Sequence, residues 1–535
     1  MSETTGTRRP LHGFLRVVTR WFGTWPLFGV ILLWVVLALV VFTILGWLWG
    51  EGALLSVARW MTNWRSAGDE ANPLDIVKVS LTTIGGIGGT GYLVIKYRER
   101  ASAERSERDA EQEKAEQKLL SAVQQLGSES PQVRIAGVYS LADAADTHRG
   151  EYRQRVVSIL CGYLRTQRGE WRTIVNEQDG PEQSSEEKVY VSHDGAVEST
   201  VLEVLVRHLR KRREKTKHRE AVTQLVEDDQ LWCDCTIDLH DAVLTEIADF
   251  QDATFTRANF QGATFTRVAG FRGATFTRAN FRGATFNRDA NFERATFNRA
   301  NFRGATFNRD AYFWGATFTR VADFWGATFT RVADFWGATF TRANFRGATF
   351  NRAGFQGATF TNDANFQDAT FNCIASFQGA TFTNDANFQD ATFNRVDFQD
   401  ATFNDAYFWG AAFNNVANFR GATFNRVAGF RGATFTNDAN FQGATFTNDA
   451  NFRGATFNRA ANFQDATFTN DANFQDATFS RSAPPRGLPP GWVDEDGLPH
   501  GARWADADDE GPEAGSPDDA PAEGTDPGSA GSAAS

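Results

Sequence analysis

The sequence predicts a mixed architecture: two N-terminal transmembrane helices, a small all-α connector, a solenoid of very short stacked strands and a disordered tail. Three observations carry this. Of 48 Phe in 535 residues, 44 fall between Phe250 and Phe479 at steps of five or six. An uncharged stretch of 23 residues runs from Leu27 to Trp49, and residues 481–535 are dominated by Pro, Gly, Asp, Ser and Ala. Such usage lies far from globular averages, and the repeated phrase excludes an ordinary globular enzyme over almost half the chain.

The N-terminal elements come first. Residues 1–26 read as a cytoplasmic segment and 27–49 as the first transmembrane helix, long enough for a hydrocarbon layer of about 30 Å. Trp21, Trp25, Trp47 and Trp49 suit the two interfaces. A signal peptide has a shorter apolar core, of about 7–15 residues, and a small-x-small cleavage site. Residues 50–77 then form a short external loop and 78–96 a second helix, whose apolar stretch Val79 to Ile95 lies between Lys78 and Lys96. Gly85 and Gly89 give it a small-xxx-small face on which the first helix can pack, because in lipid close backbone approach supplies the contact. Gly86 to Gly91 also spells G-x-G-x-x-G, but no strand supplies the context a phosphate site needs. Positive flanks, Arg8, Arg9, Arg16 and Arg20 before the first span and Lys96, Arg98 and Arg100 after the second, place both termini inside. The reading is a multi-pass cell-membrane protein with cytoplasmic repeats; if Val79 to Ile95 fails to span, the repeats face the other side.

Residues 97–236 read as a charged helical stalk followed by a HEAT-like helical connector. Ser130-Pro131 marks a helix start. Val133, Ala136, Gly137, Leu141 and Ala144 share one helical face, Val156, Ile159, Leu160, Tyr163 and Leu164 a second, and Leu202, Leu205, Val206 and Leu209 a third. The basic run Arg210-Lys211-Arg212-Arg213 reads as a solvated helix end.

Residues 237–480 alternate two pentads, as in Ala253-Thr254-Phe255-Thr256-Arg257 and Ala258-Asn259-Phe260-Gln261-Gly262. Period-2 alternation turns Ala and Phe inward and Thr or Asn outward. A turn-compatible residue then follows, so each step is a short strand plus a corner. A chain that turns every five residues closes on itself. Four sides make one coil, and the 46 apolar centres from Leu239 to Phe479 make about eleven and a half coils at the ladder spacing of about 4.8 Å. Six-residue steps, as at Val268, Asp289, Asp363 and Ile374, place an extra residue at a corner.

The run of Ala-Thr-Phe, Ala-Asn-Phe and Ala-Asp-Phe resembles the pentapeptide-repeat family, which implies a right-handed quadrilateral β-helix over Leu239 to Phe479. The order of two spans, the segment Ser121 to Arg134 and then repeats is similar to membrane-anchored pentapeptide-repeat proteins of actinobacteria. The anchored rod reads as a non-enzymatic scaffold for protein–protein interaction, and the resemblance adds no established general activity. It implies an alternative too, since some members resemble DNA in shape and charge and bind a DNA topoisomerase.

Four outward positions carry Trp where their neighbours have Gln or Arg: Trp314, Trp325, Trp336 and Trp409. Phe313 and Phe335 are four pentads apart, so Trp314 and Trp336 belong on one face in adjacent coils, and Trp325 on the opposite face. Clustered exposed aromatics mark a contact site for a protein partner of unknown identity. The repeat carries 21 Lys/Arg against 19 Asp/Glu over 249–479, and this near-neutral balance argues against nucleic acid as a partner. Oligomeric state is left open, with a homo-oligomer among the options. No P-loop, H-E-x-x-H or G-x-S-x-G occurs. Cys233, Cys235 and His240 fall short of a four-ligand metal site, so no catalytic residue, cofactor or metal is expected.

Overall fold

The computed structural model describes residues 73–176, 185–215 and 220–505, together with the helical positions Leu33, Val35, Val36, Leu39 and Val40. Most of the first predicted span, the segment 1–26, most of the loop 50–77 and the tail beyond Ala505 lie outside the described residues. The chain divides into two compact units, Met1–Glu116 and Gln117–Ser535.

In the first unit the predicted second span belongs to a helix, α1 (Pro73–Leu126), that continues into the charged stalk. Among the described residues no helix is long and apolar enough to cross a membrane. The physical reason lies in the composition: the apolar stretch holds five glycines and is followed by a densely charged run, with Lys96 paired to Glu99 at 2.8 Å and Arg100 to Glu104 at 3.4 Å. Gly85 and Gly89 have no described atom within 4 Å of an added Cβ, and the helix expected to pack on them lies outside the described residues.

The second unit opens with the connector. The last turns of α1 bury Leu119, Ala122 and Leu126, α3 (Glu151–Arg165) and α4 (Gly195–Leu209) turn their predicted apolar faces inward, and α2 (Pro131–Thr147) buries Gly137, Val138, Leu141, Ala142, Ala144 and Ala145 and leaves the predicted Val133 and Ala136 exposed. Gly137 is required by close approach, since a Cβ there would lie 2.7 Å from the Leu126 amide nitrogen. The connector is not all-α. Between α3 and α4 an antiparallel hairpin pairs β1 (Gly169–Asn176) with β2 (Ser185–Ser192), with Trp171 edge-on to Tyr190 at 5.2 Å. Alternating residues such as Trp171, Thr173, Val189 and Val191 favour a ladder over a helix.

From β3 (Thr236–Asp238) onward the chain is a right-handed-type β-solenoid. Parallel strands stack in register, Thr on Thr and Phe on Phe, every 20–22 residues, which is four pentads per turn. We number the levels from the one holding Phe255 and Phe260. Central residues form four columns. Rings one level apart stack with their planes parallel, as at 4.8 Å and 3° for Phe255 and Phe276, while rings across a coil, two pentads apart, meet edge-on, as at 5.6 Å and 80° for Phe271 and Phe281. Offset-parallel and edge-on contacts are the preferred aromatic geometries, and the stacking repeat of 4.8 Å equals the strand spacing. The small inward Ala, such as Ala253 and Ala263, leaves the interior to the rings. About thirteen turns result, against the eleven and a half expected, because strands beyond the repeat join the ladder. Ile237 stacks below Ala258 at one end, and Arg503–Trp504 pairs in parallel with Thr478–Phe479 at the other.

Two kinds of corner alternate. After Phe250, Phe260 and their equivalents, the Phe carbonyl accepts from the Ala three residues on (3.1 Å in both cases) and the intervening Asp252 or Gly262 sits at φ 60° or 66°. This is a type II turn, which needs a left-handed third residue. The other corners, after Phe255, Phe265 and their equivalents, are extended, and every six-residue step falls there as a bulge, as between Phe318 and Val321. The residue before the Phe that opens each type II turn is commonly Asn or Asp for a local reason. Its side-chain oxygen accepts from the backbone two residues on, and Asn280 Nδ2 donates to Asn259 Oδ1 one level below at 2.9 Å.

Residues 481–505 do not continue as a disordered tail. They cap the open end of the solenoid: Trp492 packs on Phe468 at 4.9 Å, Leu498 is buried, and Phe463 donates to the Arg486 carbonyl at 2.7 Å.

Candidate functional site

The outer surface of the solenoid is built by register, so the position of each side chain follows from its place in the phrase. Trp314 and Trp336 come together as expected, their rings stacked at 5.2 Å and 18° above the stacked pair Phe313 and Phe335. The Arg294 guanidinium lies 5.2 Å over the Trp314 ring from the level below. Trp336 is 49% exposed and forms one wall of a groove of about 610 Å³. Gly354 and Ser376 form its floor, where Asn, Asp or Tyr stands at most other levels, and the bulge residues Val332 and Ile374 border it. Glycine and serine open the surface because nothing projects from the strand there.

Trp325 and Trp409 lie on the opposite face, in the column above Phe324 and Phe408, four levels apart. Each packs locally: Arg303 lies 3.5 Å over the Trp325 ring, and Trp409 meets Tyr407 edge-on at 5.0 Å. The structure therefore assembles one pair and leaves two single residues. Reading the phrase by coil instead of by pentad would have revealed the Gly354 and Ser376 gap beside the pair.

The near-neutral charge of the rod conceals a separation. Residues 249–352 carry 15 Lys/Arg against 7 Asp/Glu, and residues 353–479 carry 6 against 12. Summed over their residues, the first five levels are basic and the later ones acidic.

At the base of the rod a joint escaped the sequence reading. Glu198 of α4 is fully buried and accepts from Arg168 at 2.5 Å, from the Thr245 amide and hydroxyl at 2.6 and 2.7 Å, and from the Glu246 amide at 3.1 Å. A buried carboxylate with four donors is satisfied and orients the helix on the first coil. Of the basic run, Lys211 and Arg212 are exposed as expected of a solvated helix end, but Arg210 and Arg213 are not. Arg210 donates to the Gln251 carbonyl at 2.9 Å, and Arg213 reaches Asp252 at 2.6 Å and the Gly273 carbonyl at 3.2 Å, clamping connector to rod. Cys233 and Cys235 are buried in this joint, where loss of water pushes each thiol up to about 11. His240 turns instead to Asp238 and Arg165, at 2.9 and 3.0 Å. Among the described residues no group of three His, Cys, Asp or Glu is spaced to hold a metal ion.

A family model for pentapeptide repeats (9 copies) matches overlapping stretches that run from residue 236 to residue 484. Over those residues the chain belongs to the pentapeptide-repeat family. No curated protein matches it. The pentapeptide-repeat rod accordingly takes its shape from the family and its surface from this chain's own substitutions.

Proposed function

We propose that this pentapeptide-repeat protein is a membrane-anchored scaffold that acts by binding, presenting its rod to a protein partner. The single observation that carries this is the stacked pair Trp314 and Trp336 beside the groove floored by Gly354 and Ser376. An exposed Trp336 backed by the half-buried Trp314 beside a depression is the geometry of an interaction hot spot. Anchoring rests on the uncharged residues 27–49 and on the exposed Tyr92, Leu93 and Ile95 in the glycine-rich part of α1. A rod that imitates DNA would be acidic along its length, and the five lower levels here are basic. Cross-linking in membranes of the native host, followed by capture, tests the proposal. The Trp314→Ser, Trp336→Ser double variant is expected to lose one abundant partner that the parent chain retains; an unchanged partner set rules the pair out as the contact.

A further inference from the structure

One edge of the rod reverses its charge half-way along. The edge between the Phe255 and Phe260 columns presents Arg257, Arg278, Arg299, Arg320 and Arg342 on levels one to five. Asp363 and Asp385 follow on levels six and seven, and Asp449 and Asp471 on ten and eleven. All of these are exposed. None of the five arginines has an ion-pair partner within 4.0 Å among the described residues. Levels eight and nine neutralise each other, since buried Asp405 accepts Arg426 at 3.3 Å.

Like charges stacked one strand spacing apart are destabilising. The strain shows at Asp385, whose carboxyl is held above its ordinary range by loss of water and by the charges of Asp405 and Asp363. An unneutralised row of five arginines followed by aspartates calls for an opposing surface with the reverse order. The same edge, turned end for end, has that order.

We propose that this edge binds a second copy of the chain, laid antiparallel about a two-fold axis between the levels of Arg342 and Asp363. Arg342 then faces the partner copy's Asp363 level, Arg320 that of Asp385, and Arg257 that of Asp449. Because the contact is isologous, each pairing occurs twice. Arg278 and Arg299 face the self-neutralised levels nine and eight. Shape agrees with charge. Levels one to three have five-residue steps and form a shallow groove of about 390 Å³ over Ala258, Ala279 and Ala300, closed by Thr236 and Val321. The antiparallel copy sets against it the six-residue bulges at Val427 and Asp449. A parallel copy would instead put arginine on arginine. A polyanion attracted by the lower levels would be repelled by the upper levels of the same edge.

The test uses the full chain in detergent micelles with Cys373→Ser, which removes the one exposed thiol. Arg320→Cys and Asp385→Cys chains carrying different tags are mixed and treated with a short bis-maleimide. The expected product is a mixed-tag dimer, with none from either variant alone; products from each variant alone would show a parallel contact and overturn the proposal. In sedimentation, Arg320→Asp is expected to weaken the dimer about tenfold or more, and Arg320→Asp with Asp385→Arg in one chain to restore it. Failure of that restoration overturns the pairing. So does a monomeric parent chain that binds anionic vesicles or duplex DNA through Arg320.

Discussion

At the residue scale, each position of the phrase answers a local demand. Phe fills the coil because offset parallel rings repeat at the strand spacing, and Ala makes room for it. Gly or Asp occupies the third position of the type II corner because the backbone there is left-handed; Gly347 and Asp390 hold φ 61° and 55°. Arg294 holds the same conformation at φ 53°, an uncommon one for a long side chain. These demands were legible as spacing. The cysteines were not, because Cys233 and Cys235 are buried by residues distant in sequence. Their burial makes a prediction. Thiolate is the reactive form, and Cys161, Cys233 and Cys235 are pushed up to about 12, 11 and 11 by loss of water. Raised thiol values leave these groups protonated through neutral and mildly alkaline pH, and reactivity rises only as pH approaches the raised values. An aromatic disulfide reagent at about pH 8 is therefore expected to modify Cys373 alone in the folded chain and all four thiols in denaturant, as counted by released chromophore and peptide mapping.

At the element scale, the two corner types divide the tolerance of the rod. Type II corners always take five residues because their hydrogen bond spans a set number of atoms. Extended corners accept five or six, and the two lengths stack on each other, as where Val321 bulges beside Arg342. Deleting Val321 converts level four to the form of its neighbours at Arg299 and Arg342. The unfolding midpoint is expected to move by less than the equivalent of about 1 kcal/mol. Inserting one residue after Gly347, by contrast, turns the following strand inside out, and it is expected to abolish the cooperative transition followed by circular dichroism. The alternation of five- and six-residue steps stood in the sequence, and with it the rule for where bulges fall. The hairpin Gly169–Asn176 with Ser185–Ser192 carries the same period-2 signal in short form, masked by the apolar helical faces on either side. Glu198 was illegible for a different reason: its four donors come from a strand start and a corner that only the fold brings to α4.

At the scale of the whole molecule, a solenoid exposes an apolar end unless something covers it. Here the connector covers the first coil through the Glu198 joint, and residues 481–505 cover the last through Leu488, Trp492 and Leu498. Truncation after Ser480 uncovers Phe468, Phe474 and Phe479. A loss of roughly 5 kcal/mol follows if each lost large side chain contributes about 1.5–3 kcal/mol. The truncated chain is expected to melt earlier and to scatter light on standing, whereas unchanged melting and clear solutions would show that the segment is not a cap.

The sequence by itself determined the repeat, its four-sided turn, the inward and outward sides of every strand and the pairing of Trp314 with Trp336, because a period of two and a step of five leave the backbone one regular way to close. Tertiary structure alone decided what the outward residues and the flanking segments contact. It opened the groove beside Trp336, and made a clamp of Arg210 and Arg213 and a cap of residues 481–505. Those features depend on register accumulated over many turns and on contacts between distant segments, and a local pattern carries neither.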